Sequence, residues 1–133
     1  MSVTRFGVSL EEKLLVALDQ YVKGSQFANR SQAIRQLIAK NLVKNKWQGN
    51  SIVAGAIILV YDHHKRNLIL KSTKIQHDFH NVILSSQHFH VSHSDCFEII
   101  AVKGEASKLI SLSKKLIAIK GIQHGELVMS KVD

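Results

Sequence analysis

No proline occurs among the 133 residues, glycine is scarce at 7, and cysteine appears once. The absence of proline and of repeated glycine excludes collagen-like and mucin-like tracts. A single cysteine cannot staple the chain through internal disulfides, so a reducing, cytoplasmic setting is expected. The longest apolar run, Ile52 to Tyr61, has ten residues, against roughly 20 needed to span a bilayer. A secretory apolar segment is also lacking, because Glu11, Glu12 and Lys13 interrupt the start. No membrane association and no protein partner other than copies of the chain are expected. Acidic residues are the scarcer charge: 10 Asp plus Glu stand against 18 Lys plus Arg, giving +8 with His neutral. That excess favours a polyanionic partner, though a basic surface alone is weak evidence. Hydrophobic residues reach 45%, an ordinary share that excludes a wholly disordered chain.

Length suggests one domain or at most two small ones. The distribution of charge favours two. Residues 1–48 hold 8 Lys/Arg and 3 acids, a net +5, while the rest holds 10 bases and 7 acids, a net +3. All 8 histidines and Cys96 fall in this second part. The expected division is residues 1–46, a linker at 47–51, and residues 52–133.

In the first part, Phe6, Val8 and Leu10 alternate with Arg5, Gly7 and Ser9, the period of a strand. Ser9-Leu10-Glu11-Glu12 fits a capping box. Leu14, Leu15, Leu18 and Val22 follow at helical spacing, and Gly24 suits a helix end. Asn29 or Ser31 can cap a second helix, in which Ala33, Ile34, Leu37, Ile38 and Leu42 form an apolar face. So short a segment cannot bury much apolar surface alone, and a lone strand leaves its backbone groups unpaired. Two copies with antiparallel strands would remove both problems.

This βαα order resembles the ribbon-helix-helix family of DNA-binding proteins, on Arg5 to Leu10 and on Asn29-Arg30-Ser31. The resemblance implies a two-stranded ribbon in the major groove. Arg5, Gly7 and Ser9 would then face the bases, with Arg5 suited to guanine and Ser9 able to donate or accept. Gly7 departs from the polar residue usual there and offers no side chain. The amides near Asn29, Arg30 and Ser31 would hold a phosphate.

The second part reads strand (51–62), helix (66–77), strand (81–90), strand (96–103), helix (106–120), strand (126–131). This βαββαβ order is ferredoxin-like, so the chain is expected to be α+β. Ile52, Val53, Ile57, Ile58, Val60, Val82, Leu84, Ile99, Ile100 and Val102 are expected to form the sheet core. Leu109, Leu112, Leu116 and Ile117 or Ile119 should line the second helix. Residues 121–125 read as a turn.

His88 and His90 lie two apart, so their rings share one strand face. Cys96 opens the next strand after a short turn. Two nitrogens and one thiolate do not match the paired ligands of a structural zinc site. Chemistry alone leaves nickel, copper, zinc or cobalt open.

A ribbon-helix-helix segment joined to this module resembles the NikR family of nickel-responsive transcriptional regulators over almost the whole chain. The motifs are Arg5 to Leu10, Asn29-Arg30-Ser31, Tyr61-Asp62-His63-His64-Lys65-Arg66, Gln76-His77, His88-Phe89-His90 and His93 to Glu98. The resemblance implies an ACT-like second domain and a homotetramer, a dimer of dimers, that binds double-stranded operator DNA. It implies one Ni(II) per subunit in a planar site of His88, His90 and Cys96 with His77 from a neighbouring chain. It also implies that the loop carrying Lys65 and Arg66 can touch DNA phosphates. Glu98 lies on the face of Cys96 and could orient a ligand imidazole or form an interface ion pair. Tyr61 lines the same region or sits in the core. Gln32 and Gln36 stand where some relatives carry acids that help bind a cation, which puts such a site in doubt.

Three other readings use the same residues. A regulator could answer another metal or a small metabolite. A ribbon-helix-helix antitoxin could carry incidental histidines. A metalloenzyme would need an open coordination position and Glu98 as base.

Overall fold

Alternation along one strand organises the larger part of the molecule. The computed structural model describes residues 2–132, and the chain divides into two units between Asn41 and Leu42.

The second unit is built on β1 (Ile52–Asp62), with Val53, Ile57, Leu59 and Tyr61 buried on one face. Then come α3 (Arg66–Asp78), a short 3-10 turn (His80–Val82), β2 (Ile83–His90), β3 (Asp95–Glu105), α4 (Ala106–Ile117) and β4 (Ile122–Met129). The sheet order is β2-β3-β1-β4, and its pairs are antiparallel. That is the ferredoxin-like arrangement expected of βαββαβ. β3 repeats the alternation of β1, burying Cys96, Glu98, Ile100 and Val102. α4 buries Ala106, Leu109, Leu112 and Leu116, at the three-to-four spacing of a helix face.

Several expected core positions moved. Ile58, Val60 and Ile99 are half-buried, on the alternate positions of β1 and β3. Leu84 is 65% exposed. A register shift between Ile83 and Ser85 leaves Leu84 without a partner on β3, as a bulge does. Ile52 lies at the exposed start of β1. Residues 122–125 are strand rather than turn, and His124 pairs with Val60. The reversal is completed by Gly121, whose φ of +104° suits glycine.

The expected linker shrinks. α2 (Arg30–Gln48) runs through Trp47, whose Nε1 donates to the Ser130 carbonyl at 2.8 Å. Trp47 is buried, so it belongs to the core rather than to a hinge. Asn50 and Ser51 also have a structural task. The Asn50 side chain accepts from the Ser107 amide at 2.8 Å, and the Ser51 carbonyl accepts from Ala106 at 3.1 Å. They satisfy first-turn donors of α4 that have no intrahelical partner.

The first unit holds α1 (Glu12–Gly24) and the first part of α2. The expected strand at 3–9 is not formed: residues 2–11 carry no regular structure. A strand exists only through pairing, and one chain supplies no second strand here. The capping box at Ser9 is likewise not formed, since Glu11 precedes α1 without a side-chain cap. A box-like cap stands instead at α2, where Asn29 Oδ1 accepts from the Gln32 amide at 2.9 Å and Gln32 accepts from the Ala28 amide at 2.6 Å. Gly24 does close α1, but the left-handed conformation falls on Gln26, at φ +58°. Among the described residues of this unit only Ala33 is buried. Phe6, Val8, Leu10, Leu14, Leu18 and Leu37 are among the residues lining an open apolar groove of about 490 Å³.

Candidate metal centre and nucleic-acid interface

Antiparallel register decides which side chains meet. His88 pairs with Glu98 and His90 with Cys96 across β2 and β3, while Tyr61 of β1 pairs with Cys96 from the other side. Directly opposed residues share a face. All of these therefore lie on the face that buries Leu59 and Tyr61. The bulge at Leu84 puts Ile83 on this face as well, because it pairs with the buried Val102.

His88 sits between two chemically different neighbours. Its Nδ1 is 3.8 Å from Cys96 Sγ and 3.4 Å from the Tyr61 hydroxyl. Its Nε2 is 3.5 Å from Glu98 Oε2. Typical metal–sulfur and metal–nitrogen bonds sum to about 4.3 Å. A sulfur and a nitrogen 3.8 Å apart can therefore share one ion. The carboxylate lies on the opposite nitrogen, the arrangement in which a ligating imidazole donates its free N–H to an acceptor.

Glu98 is 1% exposed and Cys96 2%. A carboxylate so deep needs donors. It has the Tyr61 hydroxyl at 2.8 Å and Gln76 Nε2 at 3.1 Å. Burial, then the hydrogen bond to Glu98, pushes the Tyr61 hydroxyl well above its ordinary pKa, so it stays a proton donor. A cavity of about 130 Å³ lies against this group, lined by Ile69, Ser72, Thr73 and Gln76 as well as Tyr61, His88 and Glu98.

The other expected ligands stand apart. His90 stacks flat on His63, with ring centres 4.4 Å apart and planes within 5°. His77, on the last turn of α3, faces His80 with ring centres 5.9 Å apart. Among the described residues, no three His, Cys, Asp or Glu side chains of the single chain converge as a metal cluster. A nitrogen and a sulfur donor side by side suit a borderline metal ion.

Two family models match the chain. One, described as the NikR C-terminal nickel-binding domain, covers residues 54–130, and the other, ribbon-helix-helix protein of the copG family, covers residues 4–44. The chain belongs to the family of nickel-responsive regulators. Relatives in this family carry the name "Putative nickel-responsive regulator". One from Syntrophus aciditrophicus is 50% identical over 98% of this chain and 95% of its own. One from Chlorobaculum tepidum is 44% identical over 97% and 96%, and one from Thermococcus onnurineus 38% over 98% and 95%. A solved structure, the uncharacterized protein TM1266 from Thermotoga maritima, superposes on 61% of this chain and all of its own with TM-score 0.55 at 18% identity. That likeness concerns the fold alone. The nickel-responsive regulators are named as regulators, not enzymes.

The ribbon-helix-helix domain of this nickel-responsive regulator leaves Arg5, Gly7 and Ser9 exposed. Asn29, Arg30 and Ser31 are exposed at the start of α2. Arg30 is not a free cation: its guanidinium makes two hydrogen bonds to the Asp19 carboxylate, at 2.8 and 3.0 Å. The bond from Arg30 holds the Asp19 carboxyl below its ordinary pKa. The Arg30 side chain is thus engaged within the domain, and the amides of this turn are the candidate element for a phosphate. In the other domain, Lys65 and Arg66 are exposed at the start of α3. No helix among the described residues is long and apolar enough to cross a membrane.

Two residues beside the centre, Gln76 and His63, stood in the sequence motifs but were given no role there. Gln76 shares a helix face with Leu68 and Ser72, eight and four residues back, both buried, and a polar residue at that spacing was a usable signal. His63 had none, because its contact with His90 joins residues far apart in the chain.

Proposed function

We propose that this protein is a cytoplasmic, nickel-dependent repressor of nickel-uptake genes, in which Ni(II) raises affinity for operator DNA. The reading is carried by His88, which meets the Cys96 sulfur on one nitrogen and the buried Glu98 carboxylate on the other. His88, His90 and Cys96 of one chain, with His77 of a neighbouring chain, would hold one Ni(II) per subunit. Cys96 binds as thiolate and the histidines as neutral rings, so affinity rises with pH. Bound nickel supplies a cross-link between chains, and everything else is done by the protein's own groups. Glu98 orients His88, while Tyr61 and Gln76 hold Glu98 in place.

The homotetramer, a dimer of dimers, is supported by two apolar surfaces. The groove around Phe6, Val8, Leu14 and Leu37 suits a second copy that completes the ribbon and covers the helices. The sheet face bearing Phe89, Phe97, Val60 and Ile58 suits a second contact, since these residues are exposed or half-buried in the chain. The paired ribbons would read bases through Arg5 and Ser9, with Gly7 allowing close approach. The α2 start at Asn29, Arg30 and Ser31 would take a phosphate, and Lys65 and Arg66 would take others. Gln32 acts as a cap on α2, which fits the lack of an acid for a second cation there.

A site shared between chains exists only in certain subunit arrangements, and nickel favours those. If they also set the spacing of the ribbon pairs, operator DNA tightens nickel binding by the same factor. The test is an operator mobility shift with and without stoichiometric Ni(II), read beside the thiolate-to-nickel absorption band. Cys96→Ala should lose both the band and the nickel-dependent shift. Full nickel-dependent binding by Cys96→Ala, or none by the wild type, sinks the reading.

A further inference from the structure

We propose that Asp19 restrains DNA binding: its carboxylate takes the place of a DNA phosphate on Arg30 and lowers the sequence-independent part of the affinity. The inference rests on the DNA-binding reading of the ribbon-helix-helix domain and deepens it, by naming an acid that works against binding.

Arg30 is the first residue of α2, beside the amides that suit a phosphate. Its Nε and Nη2 donate to the two oxygens of Asp19, at 2.8 and 3.0 Å. That two-point fork is also how a guanidinium takes a phosphate. While Asp19 fills the fork, those donors are closed to the DNA backbone, and the two side chains cancel in charge. A helix start attracts an anion, yet α2 has no acid in its own first turn. Asp19 supplies one from α1, eleven residues back. Arg30 holds the Asp19 carboxyl below its ordinary pKa, so the acid keeps its charge at neutral pH.

The corner between the helices has its own supports. The Phe27 amide donates to the Val22 carbonyl at 2.9 Å, and the Tyr21 and Phe27 rings meet edge to face at 5.3 Å. Asn29 and Gln32 cap α2. The Arg30 and Asp19 side chains are 56% and 49% exposed. An ion pair so open adds little to stability, and it stands within reach of a polyanion. The surrounding segment, residues 1–48, holds 8 Lys/Arg and 3 acids. Attraction to any duplex is its default, because phosphate contacts are made whatever the sequence. A regulator whose affinity a metal is to raise must bind weakly without that metal. An internal carboxylate on a phosphate-facing arginine keeps that baseline low.

The test compares wild type, Asp19→Ala, Asp19→Asn and Glu12→Gln as full chains. Glu12→Gln adds the same charge to α1 without freeing a guanidinium. Fluorescence anisotropy gives the affinity of metal-free protein for a random-sequence duplex, and of nickel-loaded protein for the operator, across a salt series. Asp19→Ala should bind both duplexes about three- to fivefold more tightly for each Arg30 released. Its log–log salt slope should steepen by about 0.9 for each Arg30 that gains a phosphate, and its preference for the operator should stay at the wild-type ratio. Asp19→Asn should move in the same direction, and Glu12→Gln should fall well short of both. Unchanged or weaker binding by Asp19→Ala and Asp19→Asn overturns the proposal, and with a lowered thermal midpoint it makes the pair a structural tie. A slope change in Glu12→Gln equal to that of Asp19→Ala also overturns it, since net charge alone would then account for the effect. The underlying reading is scored separately on the wild type, which must prefer the operator to random DNA.

Discussion

The Tyr61 hydroxyl donates to Glu98 Oε1 across 2.8 Å, joining β1 to β3 two residue pairs away from direct opposition. Removing that donor leaves a buried carboxylate acceptor short of a partner. Tyr61→Phe should destabilise the fold by about 1–3 kcal/mol, read from the urea unfolding midpoint. Glu98→Gln should weaken nickel binding by roughly 10- to 100-fold while the chain stays folded. An isothermal titration giving wild-type affinity for Glu98→Gln would remove Glu98 from the centre.

The same bond gives an alkaline signature. Burial, then Glu98, raises the Tyr61 hydroxyl in the folded chain. Its neutral form is therefore favoured by folding. That contribution is complete below the unfolded value of about 10 and is lost as pH rises above it, because the unfolded chain releases the proton first. Wild-type stability should fall more steeply than that of Tyr61→Phe above pH about 10. Parallel slopes in denaturant titrations at rising pH would contradict this.

Arg5 is exposed on the ribbon segment. Arg5→Ala should cost at least about tenfold in preference for operator over random DNA, since a bidentate guanine contact is worth about 1–3 kcal/mol. Nickel stoichiometry should not change. Competition mobility shifts decide it: unaltered discrimination would assign base reading elsewhere.

Leu37 is 46% exposed and lines the groove of the first unit. Leu37→Glu should prevent ribbon pairing, because a second copy cannot cover an unpaired charge there. Sedimentation velocity should show smaller species than wild type, and operator binding should be lost. A wild-type sedimentation profile would exclude the groove as an interface.

Gly55 is a packing position. A Cβ there would lie 2.5 Å from the Val128 carbonyl oxygen and 3.3 Å from the Trp47 ring. β4 would have to move, since the obstacle is backbone. Gly55→Ala should cost about 1–3 kcal/mol, visible as a lower thermal midpoint, and an unchanged midpoint would mean that β4 yields freely.

Much of this was legible in the residues themselves. Helical spacing located α1, α2 and α4, because an apolar stripe is a local property. Strand alternation put His88 and His90 on one face for the same reason. The segregation of bases from histidines marked two parts of the chain, and the motifs carried the family.

Other features were fixed only by tertiary structure. Trp47 looked like part of a polar seam, yet it is buried, because its partner Ser130 lies far along the chain. Leu84 read as core, but a bulge turned it out while keeping Ile83 on the histidine face. Alternation is counted from neighbours and cannot register an inserted residue, which only the partner strand reveals. The ribbon was visible as a pattern but formed no strand, since the single chain supplies no second strand to pair with it. The sequence thus supplied the chemistry of the centre. Cross-strand register decided that His88 would meet both Cys96 and Glu98, because such contacts depend on which residues pair rather than on which ones follow.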